Sequence, residues 1–316
     1  MQPPRLSIVV PCYDEEQVLP ETAKILLQLL DEMVEATVVS AESRLLFVDD
    51  GSTDNTWQVI QTLHAQEPRC CGLKLSGNVG HQHALLAGLE AEQDKVDCVL
   101  SIDADLQDDV RVIPSMVEKL TADGCDIVYG VRHKRSTDTF FKRTTAQLFY
   151  RLMQWLGVKT VYNHADFRLM SGRAVRALCR YRERNLFLRG MVPLLGYKSA
   201  QVFYDRQERR AGESKYPLRA MCRFAVDGIT SFSVRPVRMV LMLGLLFLFI
   251  SLLILIYVLH AHMVRSAVPG WSSLILSVWF VGGCILLGLG IVGEYIGKIY
   301  IEVKDRPRYN IETELF

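Results

Sequence analysis

The chain predicts an α/β domain, a mainly parallel sheet with helices on both faces, followed by a pair of membrane-spanning helices. Three observations carry this. Across the first 135 residues, short apolar runs alternate with amphipathic stretches. Acidic clusters recur where successive apolar runs end. Further on, Met239–Leu259 and Leu274–Gly293 hold 21 and 20 residues without a charge. Each can cross a hydrocarbon layer of about 30 Å at a rise of about 1.5 Å per residue.

The first apolar run, Leu6–Val10, is too short for a helix and reads as a buried strand. Gln17–Met33 follows with helical spacing, and Pro20 falls in its first turn, where the missing N–H costs nothing. Leu45–Val48 is the second strand, and Thr53–His64 the second helix, with Ser52 or Asp54 as its N-cap. Gly72–Leu75 is a weaker strand, and His81–Glu92 a helix. Val99–Ile102 and Asp126–Tyr129 are strands on either side of the helix Val110–Ala122, which has Pro114 in its first turn. Such alternation makes a sheet covered on both faces, with ligands bound at the carboxyl ends of its strands.

The polar clusters fall at those ends. Pro11-Cys12-Tyr13-Asp14-Glu15-Glu16 follows the first strand, and Asp49-Asp50-Gly51-Ser52 the second. After Val99–Ile102 comes Asp103-Ala104-Asp105-Leu106-Gln107. On an extended chain Asp103, Asp105 and Gln107 point the same way. Hard oxygen ligands so placed suit Mg²⁺ or Mn²⁺ sharing its shell with a substrate's phosphates. The chain lacks Gly-x-Gly-x-x-Gly after its first strand, against a dinucleotide site, and lacks the Gly-Lys-Ser/Thr loop of P-loop NTPases.

Together these motifs resemble family 2 glycosyltransferases with the GT-A (Rossmann-like) fold. Ala165-Asp166-Phe167-Arg168-Leu169-Met170, Gly212-Glu213-Ser214-Lys215-Tyr216 and Gly293-Glu294-Tyr295-Ile296-Gly297-Lys298 resemble the polyprenyl-phosphate branch, which includes bactoprenol glucosyltransferases and dolichol-phosphate mannose synthase. Asp14 departs from the Asn usual in the family, and Asp108-Asp109 from its usual Asp-Pro or Asn-Pro. The resemblance implies a nucleotide-sugar donor and a polyprenyl phosphate acceptor, with no nucleic acid. Asp49 would accept a hydrogen bond from the nucleobase, beside Asp50, with Pro11, Tyr13 and Glu15 lining the nucleoside pocket and Asn78 in a turn near the nucleotide. Asp103 would serve both donor and metal. Asp166, which the family casts as catalytic base, is expected instead to orient the sugar or Arg168, because a phosphate nucleophile is already ionised. Its alternative reading is a surface ion pair with Arg168 or Arg173. His81 and His83 are expected to face solvent or to pack.

The acceptor side needs cations. Arg132, Arg143, Arg206 and Arg209, with Ser214 and Lys215, are the expected phosphate ligands, since a guanidinium fork matches phosphate oxygens. For Arg210, Arg219 and Arg223 a basic stretch drawn to anionic lipid competes with that role. Phe141–Leu156 carries apolar residues on one helical face and basic ones elsewhere, as a helix at the membrane surface or one packed under the domain would.

Arg219, Arg223, Arg235 and Arg238 precede the first span, and Lys298, Lys304, Arg306 and Arg308 follow the second, whereas the loop between has only Arg265 with His260 and His262. The positive-inside rule places both ends in the cytoplasm, and the resemblance implies a bacterial inner membrane. No signal peptide is expected, because Leu6–Val10 leads straight into a polar motif. Eight cysteines without a Cys-x-x-Cys pair read as reduced thiols. The expected organisation is a GT-A domain at 1–215, a juxtamembrane helix at 216–236, spans near 237–259 and 274–296, and a cytoplasmic tail at 298–316. Gly293 and Gly297, with Gly288 and Gly290, offer a close-approach surface between helices, and the resemblance implies a homo-oligomer, a tetramer in relatives. A processive polysaccharide synthase would need more spans and a Gln-x-x-Arg-Trp motif. A non-catalytic nucleotide-sugar scaffold would tolerate loss of the metal ligands, which are intact.

Overall fold

In the computed structural model, the residues described are 2–132, 164–184, 186–205, scattered positions between 237 and 256, and 270–316. The expected strands and helices of the first 132 residues are all present: β1 (Leu6–Cys12), α1 (Leu19–Glu35), β2 (Arg44–Asp49), α2 (Thr56–Gln66), β3 (Cys70–Leu75), α3 (His81–Glu92), β4 (Cys98–Ser101), α4 (Ile113–Thr121) and β5 (Ile127–Arg132). Pro20 and Pro114 sit at the starts of α1 and α4. The second helix begins at Thr56, with Asn55 at the N-cap position, and the Asp54 carboxylate accepts the Thr56 N–H (2.9 Å).

Beyond these come β6 (His164–Ser171), α5 (Gly172–Cys179), α6 (Leu188–Leu194), β7 (Ser199–Tyr204), α7 (Trp271–Val303) and β8 (Ile311–Leu315). The sheet order is β7-β5-β6-β4-β1-β2-β3-β8. The half built from β4, β1, β2 and β3 is parallel. Strand β6 enters antiparallel between β4 and β5, pairing Ser101 with Arg168. Its first residues therefore lie beside the carboxyl end of β4, which brings Asp166 to the edge where the parallel strands end.

Two cores cover the faces. Leu26, Leu30 and Met33 of α1, Ile60 of α2 and Met116 of α4 share one core with Phe47, Phe167 and Leu169. Leu85 and Leu89 of α3, Val175 of α5 and Met191 of α6 share the other with Val9, Val48 and Met170. Close approach of α3 depends on Gly88, where a Cβ would stand 2.4 Å from Val9 Cγ1 and 2.9 Å from Val48 Cγ2.

Two expectations need correcting. Strand β4 stops at Ser101, so Asp103 and Asp105 do not share an extended chain. Instead the Leu106 N–H reaches back to the Asp103 carbonyl (3.4 Å), and Leu106 adopts φ 46°, so a turn places the two carboxylates. The tail at 298–316 is also no separate appendage. Helix α7 continues to Val303, and β8 adds an antiparallel edge strand to β3. It covers an edge that would otherwise expose unpaired backbone groups.

Phe280–Val303, 24 residues within α7, is apolar enough to cross a membrane and only 6% buried. A core helix of a soluble domain would be mostly buried, whereas this one is exposed and has the length and composition of a membrane-crossing helix. Of the first expected span, Met239, Met242, Leu246, Phe249, Leu253 and Ile256 are helical and exposed. A Cβ on Gly288 would lie 3.0 Å from Val240 Cγ1, whereas Gly290, Gly293 and Gly297 have nothing within 4 Å among the described residues. Of the four glycines, Gly288 makes a close contact among the described residues. Phe141–Leu156 and 216–236 lie outside the described residues. The seven described cysteines are free thiols.

Candidate active site

Three loops and one strand meet at the carboxyl edge of the sheet. The loops after β1 and β2 are laced by backbone hydrogen bonds. The Asp14 N–H donates to Ser52 Oγ (3.0 Å), the Thr53 N–H to Asp14 Oδ1 (2.8 Å), and the Glu15 N–H to Thr56 Oγ1 (2.9 Å). Pro11 is buried at the end of β1, Glu15 is half-buried, and Tyr13 is 38% exposed at the rim. Asp49 is fully buried. Its Oδ1 accepts the Ser52 N–H (3.0 Å), while Oδ2 has no hydrogen-bond partner. Burial lifts the Asp49 carboxyl above the usual range against those Ser52 bonds.

Asp50 is engaged differently from what was expected. Its two oxygens accept the Val79 (2.8 Å) and Gly80 (2.9 Å) N–H groups, so it holds the loop that carries exposed Asn78. Gly51 (φ 64°) lies under that loop, where a Cβ would meet Gly77 C at 2.5 Å. Asp50 thus ties down the 78–80 loop.

At the end of β4, Asp103 Oδ1 is buried without a hydrogen-bond partner, and His81 Nε2 stands 3.5 Å away. Burial, then the charges of Asp166, Asp108 and Asp105, raise the Asp103 carboxyl, with His81 pulling the other way. Asp105 and Gln107 are half-buried on the same turn, and the Gln107 N–H donates to Asp105 Oδ1 (3.3 Å). Among the described residues no three His, Cys, Asp or Glu side chains form a closed metal cage. An orphaned buried carboxylate oxygen amid like charges fits a hard divalent ion that completes its shell with substrate oxygens.

Asp166, 4% exposed, opens β6 beside this turn. Arg168 Nη2 donates to its Oδ1 (3.1 Å), and Arg189 Nε and Nη2 to its Oδ2 (3.2 and 2.9 Å). His81 Nε2 lies 3.7 Å from Oδ2. Burial raises the Asp166 pKa, but Arg189, His81 and Arg168 together outweigh it and hold it well below the carboxylate range. Asp166 is therefore a fixed anion and a poor proton acceptor. The ion pair with Arg168 exists, buried rather than on the surface, while Arg173 pairs with Asp126. Arg168 is itself fully buried, with Nε and Nη1 lacking hydrogen-bond partners among the described residues, and its Nη2 positions Asp166.

Arg132, at the end of β5, is bound to Asp108 (3.1 Å) and to the Tyr204 hydroxyl (3.3 Å). Arg143, Arg206, Arg209, Ser214 and Lys215 lie outside the described residues. Two functional side chains escaped sequence reasoning. His81 was expected to pack or face solvent, yet it stands between Asp103 and Asp166. Arg189 carried no motif; its position at the start of α6, five residues after Arg184, was the sole signal.

The site is a cluster of carboxylates and arginines at the carboxyl ends of the strands of an α/β sheet covered on both faces. Residues 7–179 match the model of glycosyl transferase family 2, and the chain belongs to that family. It is 53% identical over 313 residues to the uncharacterized glycosyltransferase YkoT of Bacillus subtilis, covering 99% of this chain and 93% of the relative. It is 39% identical over 310 residues to the SfII prophage-derived bactoprenol glucosyl transferase of Shigella flexneri, covering 98% and 97%. A solved mannosyltransferase, PcManGT from Pyrobaculum calidifontis in complex with GDP-Man and Mn²⁺, is 15% identical with a TM-score of 0.45, covering 96% of this chain and 86% of that one.

Proposed function

We propose that this protein transfers a sugar, glucose from UDP-glucose first among the candidates, to undecaprenyl or another polyprenyl phosphate at the cytoplasmic face of a bacterial membrane, inverting the anomeric centre. The observation that carries this reading is the orphaned Asp103 oxygen beside Asp166 at the sheet edge. It is joined by full-length similarity to a bactoprenol glucosyl transferase and by an exposed apolar helix.

Asp49 Oδ2, buried and unpartnered, suits acceptance of an N–H from a nucleobase. Pro11, Tyr13 and Glu15 border that position. A Mg²⁺ or Mn²⁺ ion on Asp103, Asp105 and Gln107 would neutralise charge on the departing nucleoside diphosphate. The lipid phosphate, mostly a dianion at neutral pH, attacks without a strong base. Asp166, held anionic by Arg168 and Arg189, orients sugar hydroxyls and takes no proton. Arg206, Arg209 and Lys215, with Arg143 and Ser214, would gather the acceptor phosphate. Arg132 supplies a weaker attraction there, because Asp108 offsets its charge. The exposed apolar helices would form a multi-pass anchor, and Gly293 and Gly297, with Gly288 and Gly290, a close-approach surface in a homo-oligomer.

Membranes containing the protein, incubated with labelled UDP- and GDP-sugars and extracted for lipid, test the reading. Label on undecaprenyl phosphate from UDP-glucose is the expected outcome. Label from a UDP-formamido-arabinose or GDP-mannose donor would keep the reaction and change the sugar. UDP-sugar binding without product under any donor would point to a scaffold.

A further inference from the structure

One stretch of chain touches both the apolar helix α7 and the Asp166 carboxylate. At its near end the Arg184 N–H donates to Glu302 Oε1 (2.7 Å), and Arg184 Nη2 to Asp305 Oδ1 (2.5 Å). Both acceptors lie at the end of α7, where Asp305 turns the chain with φ 43°. The Arg184 side chain is 11% exposed and Asp305 77%, so the part-buried Arg184 N–H bond to Glu302 is the more sheltered of the two contacts. At the far end the Leu188 N–H donates to Gln82 Oε1 (2.9 Å), next to His81. The Arg189 fork then closes on Asp166 Oδ2. Between them Phe187 and Leu188 are buried, so neither end moves without disturbing the core.

A second tie runs alongside. Arg308 (3.5 Å) and the Tyr309 hydroxyl both reach Glu90 of α3. Tyr309 packs against the same core as Leu186 and Val79. The end of α7 is therefore fixed to the helix that carries His81 and to the segment that carries Arg189.

We propose that Arg184 and Leu186–Arg189 act together as a positioning strap, setting the Asp166 carboxylate relative to the end of the apolar helix α7, with Arg189 as the positioning residue. The inference rests on the reading of Asp166 as part of a glycosyl-transfer site. A lipid acceptor arrives at a height fixed by the bilayer, and reacting groups need alignment within fractions of an ångström. A strap from helix end to carboxylate supplies that alignment.

The test uses the full-length protein in lipid nanodiscs. Arg189→Ala lowers kcat about 10- to 150-fold, the range for losing a charge-assisted contact, with the donor KM within about twofold. Arg184→Ala lowers kcat about 2- to 30-fold, typical of remote coupling. Arg184→Lys, which keeps the charge toward Asp305, restores most of it. Arg184→Ala added to Arg189→Ala costs nothing further, because both act along one path. Losses that multiply in the double variant would overturn the strap. Hydrogen exchange gives a second reading that needs no turnover. Arg184→Ala speeds exchange in Leu188–Leu194 and at the start of α3; unchanged exchange there would sink the proposal even if the wild type transfers sugar. Conversely, faster exchange in a protein that transfers no sugar would keep the strap and reject the functional reading.

Discussion

The two halves of the sheet hold their carboxylates in different ways. At the ends of β1 and β2, acidic side chains are gripped by backbone amides. Asp14 takes the Thr53 N–H, Asp49 that of Ser52, Asp50 those of Val79 and Gly80, and Glu16 Oε2 that of Asn55 (3.0 Å). On the β4–β6–β5 side the partners are arginines: Asp166 with Arg168 and Arg189, Asp108 with Arg132, Asp126 with Arg173. Amides fix the shape of a loop and leave the negative charge in place, whereas guanidinium groups cancel charge and fix orientation. The first half holds shaped loops, and in the second the carboxylate charge is offset by guanidinium groups. Asp103, on the border, has an oxygen in neither arrangement.

The largest effect should come from breaking the arginine side. Arg168→Ala leaves the Asp166 network short of a buried cation and is expected to cost about 3–5 kcal/mol, read as a lower unfolding temperature in detergent. Little or no change would mean that Arg189 alone suffices. At the border, Asp105→Ala should cut transfer on the order of 10²- to 10³-fold, the scale of a lost electrostatic contact. The fold should survive, because one of two like charges is gone, and the unfolding temperature in EDTA should hold or rise. Full turnover by this variant would remove Asp105 from the metal set.

Breaking the amide side should cost less. Asp50→Asn keeps one acceptor and sets an NH₂ against the second amide, so about 1–3 kcal/mol is expected. The loss should appear mainly as weaker UDP binding by calorimetry, since the 78–80 loop loosens; an equal fall in kcat at saturating donor would blur the division. The smallest effect belongs to Asp126. Its hydrogen bonds from Arg173, and then from Ser171, hold its pKa below the usual range despite burial. A depressed carboxylate stabilises the fold above its unfolded pKa of about 3.9 and loses that contribution as pH falls through the folded value. The stability gap between wild type and Asp126→Asn should therefore narrow below about pH 4, and a gap constant with pH would show that Arg173 contributes through packing alone.

Legibility followed the same division. The amide side was readable because its signals are local: Asp49-Asp50-Gly51-Ser52 is a strand end, a turn and a cap within four residues. Asp50's engagement was not, since its donors lie 29 and 30 positions away. On the arginine side, Ala165–Met170 stood out as a motif and not as a strand. Two charges interrupt it, and both are buried only because they pair with each other and with Arg189. Strand β8 was hidden for another reason. Its sequence Ile311–Leu315 is short, polar and alternating, and an edge strand need bury little.

Sequence alone determined the alternation of strands and helices, the acidic strand ends, the uncharged stretches long enough to cross a bilayer's hydrocarbon core, and the family. All of these depend on which residues an element turns inward, and that is written in local periodicity and composition. Tertiary structure alone decided that β6 runs antiparallel beside β4, that His81 faces Asp103 and Asp166, that Arg168 is buried while Arg189 holds the same carboxylate, and that the chain's end returns to the sheet. These depend on which element lies next to which, and pairing between distant segments is settled by packing and charge neutralisation in three dimensions.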